Sequence, residues 1–369
     1  MTNKFFKLID LDKEVFNKTF LFVLALSLIY FLPFLIYNIS HNDDYAWVSQ
    51  GRTYAYGNVR PFGPILFSLL HFNPVLSFNK EGFLWDTGAL LRILSILSLS
   101  LSATIFGLKA FSAKKFSFFT SIAIFFIIAN PFILDCFFYR FYCIVTVLAI
   151  CFALLASLNT TTRYLSIILG TILLSLSLGL YQAMISVFLS ASFLLFLVEF
   201  KSNQQMAIKH GCNNILKLIF SLAIYKLCIY NNITNTSHYY KEGTSLIDFD
   251  SHFINKLLQN ITFYLEKFYN AFSDQMPLVV FALISIIAYA IVYISKSKNM
   301  PLSLTVFTLC LLGICFSIIH IFPLTVKMPS MPRVLIGFSI FIFLVAYSYL
   351  KSITSWQPVL KALILIPLT

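Results

Sequence analysis

Charge is what this sequence has least of. Only 11% of its 369 residues are Asp, Glu, Lys or Arg, against 59% hydrophobic residues and a mean hydropathy of +0.86. A water-soluble globule carries roughly a quarter charged residues, so that class is excluded. Acids are scarcer than bases, 14 against 26, which leaves a formal charge of +12. Such an excess can serve nucleic-acid binding, but no soluble basic domain is present. Basic side chains beside apolar runs instead mark the cytoplasmic loops of membrane proteins, and nucleic acid is not an expected partner. The seven cysteines include no CxxC pair and no Cys/His spacing suited to zinc. Most fall inside apolar runs and read as small buried hydrophobes. Internal repeats and low-complexity tracts are also missing. The first apolar run, Thr19 to Tyr37, is too long for a signal-peptide core and is followed by no A-x-A site, so a retained signal anchor is expected.

What the sequence does have is apolar runs long enough to cross a hydrocarbon core of ~30 Å as helices. After the first, they fall at Gly88–Leu108, Phe116–Leu134, Tyr139–Leu158, Tyr164–Leu180, Ala183–Val198, Ile215–Tyr230, Met276–Ile294, Pro301–Ile321 and Arg333–Leu350. The final run, Pro358 to Thr369, is too short to cross alone, which makes it a partial span or the start of further chain. The fold class is therefore all-α: a polytopic transmembrane helical protein of about 10–11 spans, with residues 1–369 forming a single transmembrane domain.

The N-terminal lysines and Lys109, Lys114, Lys115, Arg163, Lys201, Lys209, Lys296, Lys298 and Lys351 all fall on one side of this arrangement, which places the N-terminus in the cytoplasm. The N-terminal segment itself reads as a short surface helix leading into the first span. Two long polar segments lie on the other side, residues 38–87 and 231–275. In the first, one or two short interfacial helices are expected, with Arg60-Pro61-Phe62-Gly63-Pro64 as a break before the apolar piece Ile65–Phe72. The second is long enough for a small helical cap.

Sorting charge by side gathers most acids, and the arginines Arg52, Arg60, Arg92, Arg140 and Arg333, on the outer face, whereas the inner loops use mainly lysine. Arginine's planar fork binds phosphate bidentately, so this set suits a phosphate-bearing lipid; pairing with lipid headgroups is the plainer alternative. The pair Asp43-Asp44 follows His41 directly after the first span. Adjacent carboxylates there can cap a helix. Alternatively, their pKa values can be pushed apart to leave one as a general base toward a sugar hydroxyl, the other orienting it, binding the sugar or holding a divalent ion. Three further pieces converge on this face. Asn130-Pro131, with Asp135 and Arg140, marks a tight turn carrying ionisable groups at the membrane edge. Tyr181 and Gln182 occupy a turn with almost no loop, as cavity-facing groups or as a cap. Lys327 to Arg333 forms a rigid basic loop that opens a span.

An N-terminal span followed at once by an acidic motif in a long outer loop resembles the GT-C superfamily of polytopic glycosyltransferases. Asn42-Asp43-Asp44, the Asp135 to Arg140 turn, Leu178-Gly179-Leu180-Tyr181-Gln182-Ala183 and Pro332-Arg333-Val334-Leu335 more narrowly resemble the serotype-converting O-antigen glucosyltransferases (Gtr type) of enterobacteria and their phages. The resemblance implies a bacterial inner-membrane enzyme with a periplasmic active site. Its donor would be undecaprenyl-phosphate glucose, its acceptor a lipid-linked O-antigen repeat of lipopolysaccharide, and its reaction a single inverting displacement. Asp44, followed by Tyr45, would be the base with Asp43 assisting. Arg140 and Arg333 would hold the leaving phosphate, with Arg52, Arg60 and Lys327 as reserves, while His41, Tyr45, Asp135, Tyr181 and Gln182 would bind substrate. No cofactor is required on this reading, though a divalent cation is possible. Relatives of this type continue for further spans.

A flippase or transporter of polyprenyl-linked sugars would carry polar or broken-helix sites near the midplane. Here the charges gather at one rim. An O-antigen polymerase or ligase shares the apolar helices and outer arginines but tends to place its large loop late in the chain. An acyltransferase finds little support in the histidines.

Overall fold

The computed structural model describes residues 9–37, 60–70, 87–160, 162–229, 247, 249–297, 299–319 and 335–355. All regular structure among them is helical, as expected for a polytopic all-α protein. The helices run α1 (Lys13–Tyr30), α2 (Leu32–Ile36), α3 (Phe62–Leu70), α4 (Gly88–Phe111), α5 (Phe118–Phe125), α6 (Pro131–Phe138), α7 (Cys143–Ser157), α8 (Arg163–Leu180), α9 (Ile185–Ser202), α10 (Gln204–Ile224), α11 (Phe253–Phe272), α12 (Met276–Ser295), α13 (Met300–Ile319) and α14 (Phe338–Ser355).

The core is organised on α7, which carries no charge and is buried along nearly its whole length. A helix apolar on every face must be surrounded, and α7 packs against α4, α8 and α9. Outside this centre, α1 lies on α4 and α5, α10 on α8 and α9, and α13 on α9, while α12 and α14 pair with each other. Exposed apolar side chains such as Ile168, Ile172, Leu283, Ile287, Leu309 and Leu312 form the outer surface. In water this would be costly; against lipid tails it is neutral. Among the described residues, Gly88–Phe111, Arg163–Leu180, Gln182–Ser202, Ser273–Ser295 and Met300–Ile319 are each long and apolar enough to cross a membrane.

Chain direction gives the bundle two distinct ends. At one, Lys109 Nζ lies 3.7 Å from the Asp10 carboxylate, and Arg163, Lys201, Lys209 and Lys351 sit at helix ends of the same sense. The opposite end holds Arg60, Asp135, Arg140 and the turn at Tyr181. Among the described residues, Lys109, Lys201, Lys209 and Lys351 thus lie at one end with Arg163, and Arg60 and Arg140 at the other; Arg52 and Arg333 lie outside the described residues.

Several boundaries differ from expectation. Helix α1 begins at Lys13, ahead of the expected span start at Thr19, and is capped by Asp12, whose side chain accepts from the Val15 amide at 2.9 Å. It ends at Tyr30, with a break at Phe31 before Pro33, and the surface helix expected ahead of it falls mostly outside the described residues. The run Phe116–Leu134 is not one span but α5 and α6, separated by turns. Asn130 is extended, and its side chain accepts from the Ile133 amide at 3.1 Å, so it starts a new helix at Pro131 rather than continuing the old one. Asp135 accordingly sits on α6, not in the turn. The break expected at Arg60–Pro64 closes earlier: α3 already begins at Phe62 and runs through Gly63 and Pro64, because proline is tolerated in a first turn where its missing N–H has no partner to lose. The polar segment 231–275 does contain a helix, α11, whose Phe268 and Phe272 stack on Phe338 at the head of α14.

Candidate functional site

The site is built on the turn between α8 and the short 3-10 helix Gln182–Met184. Gly179 lies one turn before it, and a Cβ there would collide with the ring of Phe62. Glycine therefore lets α3 lie directly on α8, and this close approach delivers Arg60 to the turn. The Arg60 guanidinium sits over the Tyr181 ring, 4.1 Å from its centroid, and its Nε donates to Gln182 Oε1 at 2.8 Å. Gln182 Nε2 in turn donates to the Tyr225 hydroxyl at 2.8 Å. Tyr225 opens the π-helical turn that ends α10. Three distant stretches of chain are thereby joined through one amide, which fixes that amide's orientation: oxygen toward the cation, nitrogen toward the phenol. Tyr142, buried at the start of α7, lies within electrostatic reach of both Arg60 and Tyr181.

With Nε committed to Gln182 and one face stacked on Tyr181, the terminal nitrogens of Arg60 keep the fork with which a guanidinium grips a phosphate or carboxylate. Cation–π stacking and the amide restrict the side chain to one geometry, so little entropy remains to be lost on binding an anion.

A second group shares this end. Arg140 follows α6, its guanidinium 5.1 Å from the Phe141 ring centroid, and its side chain crosses the first residue of α4, where only glycine fits: a Cβ at Gly88 would meet Arg140 Cγ at 2.5 Å. Asp135 is half-buried on α6. Beneath them lies Arg92, fully buried on α4, donating from Nη1 to the Phe34 carbonyl at 2.7 Å and from Nη2 to the Phe137 carbonyl at 3.1 Å. It thus ties α2, the element that leads into the acidic segment, to the end of α6, three residues before Arg140. Tyr37 and Arg60, which bracket the acidic segment, consequently lie at the same end of the bundle.

Of the residues expected to form the site, Arg60, Tyr181 and Gln182 are brought into direct contact, and Arg140 and Asp135 lie at the same end. His41, Asp43, Asp44, Tyr45, Arg52, Lys327 and Arg333 lie outside the described residues. Sequence reasoning missed Tyr225 and Tyr142, which read as ordinary aromatics at the ends of apolar runs. Arg92 was counted with the outer arginines but not as a site element; its signal is a lone cation one turn into a long apolar helix. Among the described residues, no three His, Cys, Asp or Glu side chains are grouped to hold a metal ion.

The profile of the family described as Glucosyl transferase GtrII matches residues 32–345. The chain belongs to the GtrII family. The match runs from the first residue of α2 into α14, so it takes in the acidic segment, Arg140 and the whole Arg60–Tyr181–Gln182–Tyr225 group. Among curated proteins, an uncharacterized 55.3 kDa protein in the gtrB 5' region of Salmonella phage P22 is 25% identical over 255 residues, which is 68% of this chain and 49% of that protein. This GtrII member thus spans about half the length of the curated relative it matches. No solved structure matches it.

Proposed function

We propose that the chain is a membrane glucosyltransferase that moves glucose from undecaprenyl-phosphate glucose to a hydroxyl of a lipid-linked O-antigen repeat at the periplasmic face of the bacterial inner membrane. The observation that carries this reading is the clamped Arg60 at the end of the bundle from which the Asp43-Asp44 segment leaves and to which it returns. Membership of the GtrII family supports the sugar and the reaction class.

In the displacement, the acceptor hydroxyl oxygen attacks the anomeric carbon of glucose. The bond from that carbon to the phosphate oxygen breaks, and the configuration inverts. Asp44 takes the hydroxyl proton, and Asp43 assists by orienting it or by binding the sugar. The departing polyprenyl phosphate gains a negative charge, and stabilising that charge is the main electrostatic task. Arg60 can meet it with its terminal nitrogens; Arg140, Arg333, Arg52 and Lys327 are the further cations for it. Tyr181 and Gln182 act first as positioning residues for Arg60, and His41, Tyr45 and Asp135 complete the sugar pocket. The glycosyl phosphodiester already carries the required energy, so no nucleotide or redox cofactor enters, and a divalent cation remains compatible with the acidic pair.

The test is glycan analysis of lipopolysaccharide from a host with and without the gene, combined with the variant Arg60→Ala. The proposal expects one hexose per repeat that depends on the gene and falls sharply in the variant. An unchanged repeat in the presence of the gene would overturn it.

A further inference from the structure

At the opposite end of α7 and α8, roughly 22–27 Å from Arg60 by helix length, a cavity of ≈ 170 Å³ opens between the start of α8, the first half of α10 and the end of α4. Its lining includes Lys109, Arg163, Lys209, His210, Asn213 and Asp10. Lys109 is already engaged, donating to the Ile9 carbonyl at 3.1 Å beside the Asp10 carboxylate. Arg163 donates from Nε to Asn213 Oδ1 at 3.2 Å, and Asn213 is itself buried, so this guanidinium is anchored while its terminal nitrogens stay available. Neither Arg163 nor Lys209 has an acidic partner among the described residues. His210 is held by Glu199, Nδ1 to Oε2 at 2.7 Å. The cavity therefore gathers three cations around one carboxylate.

Its walls are fixed. Buried Lys217 donates to the Ala156 and Leu158 carbonyls at 3.0 and 2.7 Å and to Asn214 Oδ1 at 2.9 Å, which pins the end of α7 to α10. The N-cap of α8, Thr162, makes no side-chain bond to the first turn, so that helix end adds its positive dipole beside Arg163. The lining also includes exposed Met206, and exposed Tyr164 follows Arg163 directly in the chain. A ligand suited to this arrangement has a phosphate and an apolar tail. Basic pockets between membrane helices take such headgroups.

We propose that this pocket binds the phosphate of an anionic phospholipid in the leaflet at that end of the bundle. The site is separate from the Arg60 group and does not depend on the transfer reaction.

The full chain is purified in a zwitterionic detergent and titrated with phosphatidylglycerol, phosphatidylcholine or inorganic phosphate at about physiological ionic strength, with bound lipid read by native mass spectrometry. The double variant Arg163→Gln/Lys209→Gln is compared with Lys114→Gln/Lys115→Gln, which removes equal charge from the same end outside the cavity. Phosphatidylglycerol is expected to be retained over phosphatidylcholine, and the cavity variant should lose about tenfold or more of that affinity. The control pair should change it by no more than about twofold, since exposed charges outside the cavity are screened by salt and make no direct contact with a ligand in it. Equal loss in both variants, or none in the cavity variant, overturns the site. Inorganic phosphate that occupies it as tightly as the lipid overturns the lipid assignment in favour of a soluble anion. Lys209→Gln alone, at an exposed position, serves if the double variant does not fold.

Discussion

Arg60 and Gln182 are 122 residues apart in the chain and 2.8 Å apart in space. That one bond holds a cation with an open fork at the end of the bundle where the described chain stops at Tyr37 and resumes at Arg60, and the remaining interactions at this end support it. Removal of the guanidinium is expected to cost far more than loss of its supports. With membrane vesicles and polyprenyl-phosphate glucose, Arg60→Ala should lower the transfer rate by about 10²–10³, the scale of one lost charge-stabilising donor. Gln182→Ala and Tyr225→Phe should lower it by about tenfold or less, and each should add little once Arg60 is gone. Full additivity in the Arg60→Ala/Gln182→Ala pair would show that Gln182 does not act through Arg60.

Gly179 is predicted to matter only through Phe62. Gly179→Ala forces a Cβ into that ring and should destabilise the α3–α8 contact by about 1–3 kcal/mol, displacing Arg60 and reducing transfer. The double variant Gly179→Ala/Phe62→Leu gives the new methyl group room and should recover much of the activity. No recovery would mean that the glycine serves something other than this approach.

The five helices long and apolar enough to cross a membrane were legible, because lipid demands long apolar runs. The break at Asn130 was visible as Asn-Pro, yet its consequence was misread. Apolar residues continue through it, and hydropathy does not register that the Asn130 side chain starts a new helix. The contact of Arg60 with Tyr181 and Gln182 was half legible: each residue stood out by its chemistry at a span end, but nothing local says which distant cation meets which turn. Tyr225 and Arg92 were opaque as site elements for the same reason, since their roles come from partners 43 to 58 residues away. Glycines 88 and 179 look like ordinary small residues of apolar helices until the side chains crossing them are seen.

Arg92 is expected to be a stability determinant. Arg92→Met keeps bulk but leaves the Phe34 and Phe137 carbonyls without this donor, at about 1–3 kcal/mol for each buried group left unsatisfied. Thermal unfolding in detergent should show a clear fall in midpoint, with activity per folded molecule also reduced because α2 and α6 lose their tie. An unchanged midpoint would contradict the role.

At the other end, Lys217→Met should also destabilise, by about 2–4 kcal/mol, because the ammonium group closes the final carbonyls of α7. The transfer chemistry should be untouched in molecules that remain folded. A variant with wild-type stability would show that water replaces the ammonium group at no cost.

The most direct test of the account is mass analysis of the O-antigen repeat in a host expressing the wild-type chain, Asp44→Asn or Asp43→Asn, with membrane levels of each protein matched by immunoblot. The account predicts a hexose on the repeat with wild type, its loss with Asp44→Asn and a partial loss with Asp43→Asn. Wild-type glucosylation in both variants would contradict it.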